Sequence, residues 1–237
     1  MANEPYTENP KWTTVDNYVF TSIHPPSSSS PSLIDTLTKA QANNLSSGLP
    51  DIAVSPPQGK FLMLQARLIQ AKTILEVGTL GGYSTIWLAN STEQAKVVTI
   101  EVNPKHAEIA KQNFETAGVA EKIEVLVGPG TDILPKLAQE VKEGKREKFD
   151  MVFIDADKEN NWNYVESALG MTRSGALILV DNVVRYGKVV DEGTEDKRVL
   201  GSRKVIEKVG KDERLEGTVL QTVGEKGWDG LLFAVVK

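Results

Sequence analysis

The stretch from Lys72 to Leu88, K-T-I-L-E-V-G-T-L-G-G-Y-S-T-I-W-L, constrains this chain more than any other. Thr73 to Val77 reads as a buried strand, Gly78, Gly81 and Gly82 as a sharp turn, and a helix opens near Tyr83. A strand feeding a helix through glycines is a nucleotide-binding device. Glycine lets the backbone turn tightly and approach a ligand closely, and the helix start presents free N–H groups and a positive dipole end. The spacing is G-x-x-G-G rather than the G-x-G-x-x-G in which the second glycine admits a pyrophosphate. Glu76, just before the turn, suits the hydroxyls or amine of a ligand better than a pyrophosphate. A glycine turn without any ligand is the competing reading of the stretch taken alone.

The rest of the chain supplies the context. Val97 to Glu101, Ile123 to Val127, Phe149 to Ile154 and Ala176 to Val180 read as further strands. Helices are expected after Asn103-Pro104, over Lys105 to Ala117 with Gly118 as the stop, and from about Asp132. Glu140 to Lys148 is a charge run and reads as a solvated loop. Repeated strand–helix units with apolar strands define an α/β fold: a mostly parallel sheet with helices on both faces. A charged helix over about Asp196 to Val209 precedes two β-rich segments, Thr218 to Val223 and Leu231 to Val236. A short turn joins them, so they are expected as an antiparallel hairpin at the sheet edge. Upstream, Pro25 to Pro31 breaks the chain. Val15, Tyr18 and Val19 fit a helix stripe before it, and Ser32 and Ser55 fit as helix caps after it. The expected organisation is residues 1–50 as an N-terminal arm and helices, and residues 51–237 as the main domain.

Composition narrows the function classes. With 237 residues the chain is long enough for one large α/β domain. A net charge of −5 argues against nucleic acid as a partner, which calls for a basic face. The absence of cysteine excludes disulfides and thiolate chemistry. No apolar run approaches membrane-spanning length and no apolar signal core opens the chain, so a cytoplasmic protein that does not engage a membrane is expected.

Ligands of such sheets sit at the carboxyl ends of the strands. Glu101 ends the second strand, where an acidic residue accepts hydrogen bonds from ribose hydroxyls. The fourth strand ends in Asp155-Ala156-Asp157-Lys158 and the fifth in Asp181-Asn182. Each of these alone reads as a turn or cap residue. Asp155, Asp181 and Asn182 together, at adjacent strand ends, suit a hard divalent cation: Mg²⁺ first, with Mn²⁺ or Ca²⁺ as alternatives. No histidine or cysteine accompanies them, which argues against zinc. Lys158 follows Asp155 at i+3, so on a helix it reaches the same place and could act as a general base.

V-S-P-P-Q-G-K-F-L, E-V-G-T-L-G-G-Y-S, G-P-G-T-D-I-L-P-K-L, F-D-M-V-F-I-D-A-D-K-E-N and L-V-D-N-V-V resemble the motifs of cation-dependent O-methyltransferases of the caffeoyl-CoA and catechol type, from about Asp51 onward. The resemblance implies a Rossmann-like class I methyltransferase fold with a seven-stranded sheet. It implies methyl transfer from S-adenosylmethionine to a phenolic small molecule, and a homodimer. It puts Asp155, Asp181 and Asn182 on the metal and makes Lys158, with Asp155, the catalytic pair. Val54, Glu76, Gly78, Thr79, Ser84, Glu101, Gly130, Asp155 and Asp157 fall on cofactor-contacting positions.

The chain also departs from the pattern. The plant enzymes that act on CoA thioesters have Tyr where Asn161 stands, and Trp-Asn where Arg185 and Tyr186 stand; their insertion after that point is shorter here. These differences point away from a CoA thioester and toward the bacterial- and fungal-type members. Arg185, Tyr186, Trp162 and the N-terminal arm are candidates for lining the acceptor site, with Arg185 suited to an acidic group and Trp162 equally suited to the core. Two alternatives stand beside this reading. One is an NAD(P)-dependent oxidoreductase on a related sheet, against which the G-x-x-G-G spacing counts. The other is a non-catalytic binding module, which would have no need of Lys158.

Overall fold

The computed structural model describes residues 9–24 and 32–237. Seven strands form one sheet: β1 (Thr73–Val77), β2 (Lys96–Glu101), β3 (Ile123–Val127), β4 (Phe149–Ile154), β5 (Thr172–Asp181), β6 (Leu215–Gly224) and β7 (Gly227–Val236). Their order is β3-β2-β1-β4-β5-β7-β6. The first five run parallel, and β7 pairs antiparallel with both β5 and β6. This is the expected seven-stranded sheet with its C-terminal hairpin. The strand order reverses at β1, so a crevice opens there at the carboxyl ends.

Alternation along the strands divides the core in two. In β1, Ile74 belongs to one buried cluster and Leu75 and Val77 to the other, the period-2 pattern of a strand covered on both faces. The first face is covered by α2 (Leu33–Ser46), α3 (Pro56–Leu68), α4 (Tyr83–Ala89) and α5 (Pro104–Thr116); the second by α6 (Gly130–Lys142), α7 (Asn161–Leu169) and α8 (Lys197–Lys211). Ile74 and Trp87 are fully buried; burying a side chain of this kind contributes about 1.5–3 kcal/mol.

The helix starts follow their caps. Ser32 and Asp35 form a reciprocal capping box on α2, and the Ser55 hydroxyl accepts from the Gln58 N–H with prolines in the first turn of α3. The α6 helix takes in Glu140 to Lys142, and Arg146 in the turn after it bonds Glu124 and Glu140. The charge run is therefore part helix and part stapled turn rather than a free loop.

The N-terminal helix α1 (Pro10–Ile23) contains the expected stripe, but Val15, Tyr18 and Val19 face outward. Its inner side meets the hairpin, where Asp16 Oδ2 accepts the Glu225 N–H at 2.8 Å. The α2 helix packs into the body, with Leu37, Ala40 and Asn44 buried. The Pro/Ser segment 25–31 lies outside the described residues. Among the described residues no helix is long and apolar enough to cross a membrane.

Candidate active site

The turn after β1 is built on contacts that exclude side chains. Gly78 has φ +104, and a Cβ there would stand 2.2 Å from the Asp155 carbonyl oxygen, so the ends of β1 and β4 touch through backbone alone. A Cβ on Gly81 would stand 1.9 Å from Asn44 Oδ1. Asn113 Nδ2 donates to the Gly81 carbonyl at 2.9 Å and to Asn44 Oδ1 at 2.8 Å. Helices α2 and α5 thus brace the glycine loop from behind and leave its front open.

In front lies a cavity of about 860 Å³ across the carboxyl ends of β1 to β4. Val54, Gly78, Thr79, Ser84, Glu101, Gly130, Asp155, Asp157 and Lys158 all stand on its wall. Glu101 is held there by two backbone donors, Leu80 N–H to Oε2 at 2.7 Å and Asn103 N–H to Oε1 at 2.9 Å. Asp157 accepts from the Tyr164 hydroxyl and from Asn160 Nδ2.

Glu76 is the exception among the expected cofactor contacts. It is fully buried and off the cavity wall. Period 2 places it on the Ile74 face of β1, under α4 and in register with Thr99 of β2. Ser84 Oγ donates to Oε1 at 2.6 Å, and Thr99 Oγ1 and Thr85 Oγ1 donate to Oε2. Since Thr99 spends its proton there, Thr79 Oγ1 donates to Thr99 at 2.6 Å. Burial pushes the Glu76 carboxyl up to about 7, against these hydroxyl donors. Glu76 therefore anchors the wall residue Ser84 directly and Thr79 through Thr99.

A second cavity, of about 520 Å³, lies between α3, the hairpin and the segment after β5. Phe61 and Phe233 meet edge to face on its wall at 5.5 Å between ring centroids. Asp16 of α1 reaches its rim, so the N-terminal arm does line it, and so do Arg185 and Tyr186. Trp162 lines neither cavity and packs in the second core cluster. Asn161 is buried off both walls.

The two cavities share Ile52, Ala53 and Val54 on one side and Asp155, Asn182 and Arg185 on the other, and they meet at these residues. Lys158 Nζ lies 2.6 Å from Asp155 Oδ1 with the lysine side chain 10% exposed. Asp181 faces the second cavity, its Oδ2 accepting from Gln58 Nε2 at 2.8 Å and its Oδ1 from the Asn182 N–H at 2.8 Å. Burial, then the negative charge of Asp155, push the Asp181 carboxyl up. The sequence reading missed Gln58 and Tyr164 as partners of site carboxylates; the nearest signal was the position of Gln58 just past the Ser55-Pro56-Pro57 helix start.

Backbone strain gathers at the same place. Among the described residues, the non-glycine residues in the left-handed region are Gln70, Leu80, Asn182, Arg185 and Tyr186. All but Gln70 line a cavity. Such conformations cost about 1–3 kcal/mol each and persist where the surroundings over-determine them. Here Asp229 Oδ1 accepts from the N–H groups of Val184, Arg185 and Gly230 and fixes the loop.

A nucleotide-sized cleft on a switched seven-stranded sheet, with a lysine and carboxylates where a second cleft joins it, defines a class I methyltransferase. The O-methyltransferase family profile matches residues 25–234. Over its whole length the chain is 46% identical to O-methyltransferase imqG of Aspergillus flavus, covering 96% of that protein. Over 85% of its length it is 49% identical to a catechol O-methyltransferase of Mycobacterium tuberculosis, covering 88% of it. The structure superposes on the O-methyltransferase of Bacillus cereus in complex with S-adenosylhomocysteine, with a TM-score of 0.88, 45% identity, and 96% and 99% of the two chains covered. The chain belongs to the O-methyltransferase family and is an S-adenosylmethionine-dependent O-methyltransferase. That assignment sets aside the oxidoreductase and the non-catalytic module.

Proposed function

We propose that this enzyme methylates a phenolic hydroxyl of a catechol-like small molecule, with a divalent cation at the junction of the two cavities. The observation that carries the reading is the junction itself: Asp155 and Asn182 line both cavities, with Lys158 against Asp155. The larger cavity suits S-adenosylmethionine, with Glu101 for the ribose and Gly78, Thr79, Ser84, Gly130 and Asp157 around it. The smaller one, with its crossed phenylalanines, suits an aryl acceptor.

The donor set fits a hard cation. Among the described residues no group of three or more His, Cys, Asp or Glu side chains is placed to hold a metal; the set here is two carboxylates and an amide, Asp155, Asp181 and Asn182. Burial first, and then the negative charge of Asp155, pushes the Asp181 carboxyl up, and a cation held by the two would offset both. A cation held there supplies the charge that eases deprotonation of an adjacent hydroxyl and stabilises the resulting oxyanion.

The chain's own groups do the rest. With a cation in place of the ammonium to answer Asp155, Lys158 Nζ as the neutral amine would take the proton as the O–H bond breaks. The oxygen then attacks the sulfonium methyl; the O–CH₃ bond forms, the S–CH₃ bond breaks, and its electron pair stays on sulfur as the thioether. The two clefts bring donor and acceptor together, and such alignment can supply up to about 7–11 kcal/mol of the barrier reduction. A panel of catechols, monophenols, aliphatic diols and amines, offered with S-adenosylmethionine and Mg²⁺ and read by mass spectrometry, tests the acceptor class. The expected result is a gain of one methyl on catechols. Transfer confined to non-phenolic acceptors would contradict it.

A further inference from the structure

We propose that Arg185 reads an anionic substituent of the acceptor, so that the preferred substrates are dihydroxyaryl acids; the proposal rests on the catechol reading above. The Arg185 side chain is 17% exposed and sits where the two cavities meet. Its Nε is buried and has no hydrogen-bond partner. The Asp229 carboxylate stands 3.9 Å from Nη1, at the limit of an ion pair, and its Oδ1 already serves three backbone N–H groups. A buried donor without a partner is costly, and a ligand oxygen that fills it removes the cost. The guanidinium fork matches a carboxylate in shape as well as charge.

Most of the other charges lining the second cavity have partners, those of Asp181 being the neutral donors Gln58 and the Asn182 N–H. Lys226 pairs with Asp51 at 2.8 Å, Lys158 with Asp155 at 2.6 Å, and Asp16 accepts the Glu225 N–H. Among the described residues, Arg185 is the cation lining this cavity with a buried donor unfilled. Its aim is set by the backbone: Arg185 and Tyr186 are both left-handed, and Asp229 holds the N–H groups of Val184 and Arg185. Phe61 and Phe233 offer the ring its apolar wall. A carboxylate on the ring can then meet Arg185 while the hydroxyls face Asp155 and Lys158. The carboxylates Asp16, Asp51, Asp155, Asp181 and Asp229 also line this cavity and would favour a dihydroxyaryl amine if their partners left their charge exposed.

The test compares kcat/KM for catechols bearing a carboxylate, a hydroxymethyl or an aminomethyl group at the same ring position. It uses the full-length enzyme with S-adenosylmethionine and Mg²⁺, and the variants Arg185→Gln and Arg185→Lys. The wild type is expected to prefer the acid over the alcohol by about 30-fold, the scale of a buried charge pair. Arg185→Gln should bring that ratio close to one, mainly through KM. Arg185→Lys, which keeps the charge and loses the fork, should fall between, and it decides the matter if the glutamine variant does not fold. A ratio unchanged in either variant, or a wild type that prefers the amine, overturns the assignment to Arg185. Failure to methylate any of the three would sink the catechol reading, and this proposal with it, whereas a methylated series without acid preference sinks this proposal alone.

Discussion

Gly201 lies against the backbone of Lys158: a Cβ at residue 201 would stand 2.1 Å from the Lys158 carbonyl oxygen and 2.8 Å from Glu159 Cα. The α8 helix thus presses on the turn that carries the proposed base. One residue on, the Ser202 hydroxyl donates to the Asn182 carbonyl at 3.2 Å, so the same helix steadies the end of β5. In an open helix, Gly→Ala stabilises by about 0.5–1 kcal/mol. Here the added methyl must displace the Lys158 turn. Gly201→Ala is therefore expected to lower kcat by on the order of tenfold to a hundredfold, as small displacements of a reacting group do, and to lower Tm. Steady-state kinetics and calorimetry check both, and a variant of higher Tm and unchanged kcat would contradict the contact.

Gln58 acts on Asp181 from α3, across the second cavity. Its amide is the side-chain donor to Asp181 Oδ2. Partners of this kind orient the carboxylate that meets a cation, and their loss costs about 10–100-fold in metal affinity. Gln58→Leu is expected to weaken Mn²⁺ binding on that scale, as measured by electron paramagnetic resonance, while S-adenosylhomocysteine binding changes little. Equal Mn²⁺ affinity in the variant would remove Gln58 from the site's support.

Glu76 makes stability depend on pH. Burial raises its carboxyl in the folded state to about 7, from an ordinary 4.5. A raised value means that the folded state binds the extra proton. The Glu76 contribution is complete below the unfolded value and is lost as pH rises through about 7. Tm of the wild type should fall relative to Glu76→Gln between about pH 5 and about pH 8, because the glutamine variant lacks this titration. Parallel curves for the two proteins would show that Glu76 keeps its charge inside the fold.

Much of this was legible in the sequence, for physical reasons that differ by element. The β1, β3 and β4 strands match their expected bounds because short apolar runs between turn signals have little room to shift. The β6 strand extends beyond Thr218 to Val223 because most of its side chains are exposed and backbone pairing with β7 alone defines its ends. The meeting of Asp155 and Asn182 was readable because strand ends in such sheets converge whatever the intervening chain does. That Glu76 turns inward under α4 follows from the alternation along β1, which the motif match alone did not express. The left-handed Arg185 and Tyr186 were not readable, since neither is a residue that announces such a backbone. Trp162 gave no local signal to choose between core and cavity, and its packing beside α8, with Lys208 Nζ 5.9 Å from its ring centroid, decides for the core.

The central claim is that a cation held by Asp155, Asp181 and Asn182 works beside Lys158. The most direct measurement is methyl transfer to a catechol, read by mass spectrometry, in enzyme stripped with a chelator and then supplied with Mg²⁺. The wild type should lose transfer on stripping and regain it with Mg²⁺, while Asp155→Ala, folded by calorimetry, should regain none. Transfer that survives stripping in the wild type, or full activity of Asp155→Ala, would contradict the account and leave these carboxylates with a structural or substrate-holding role.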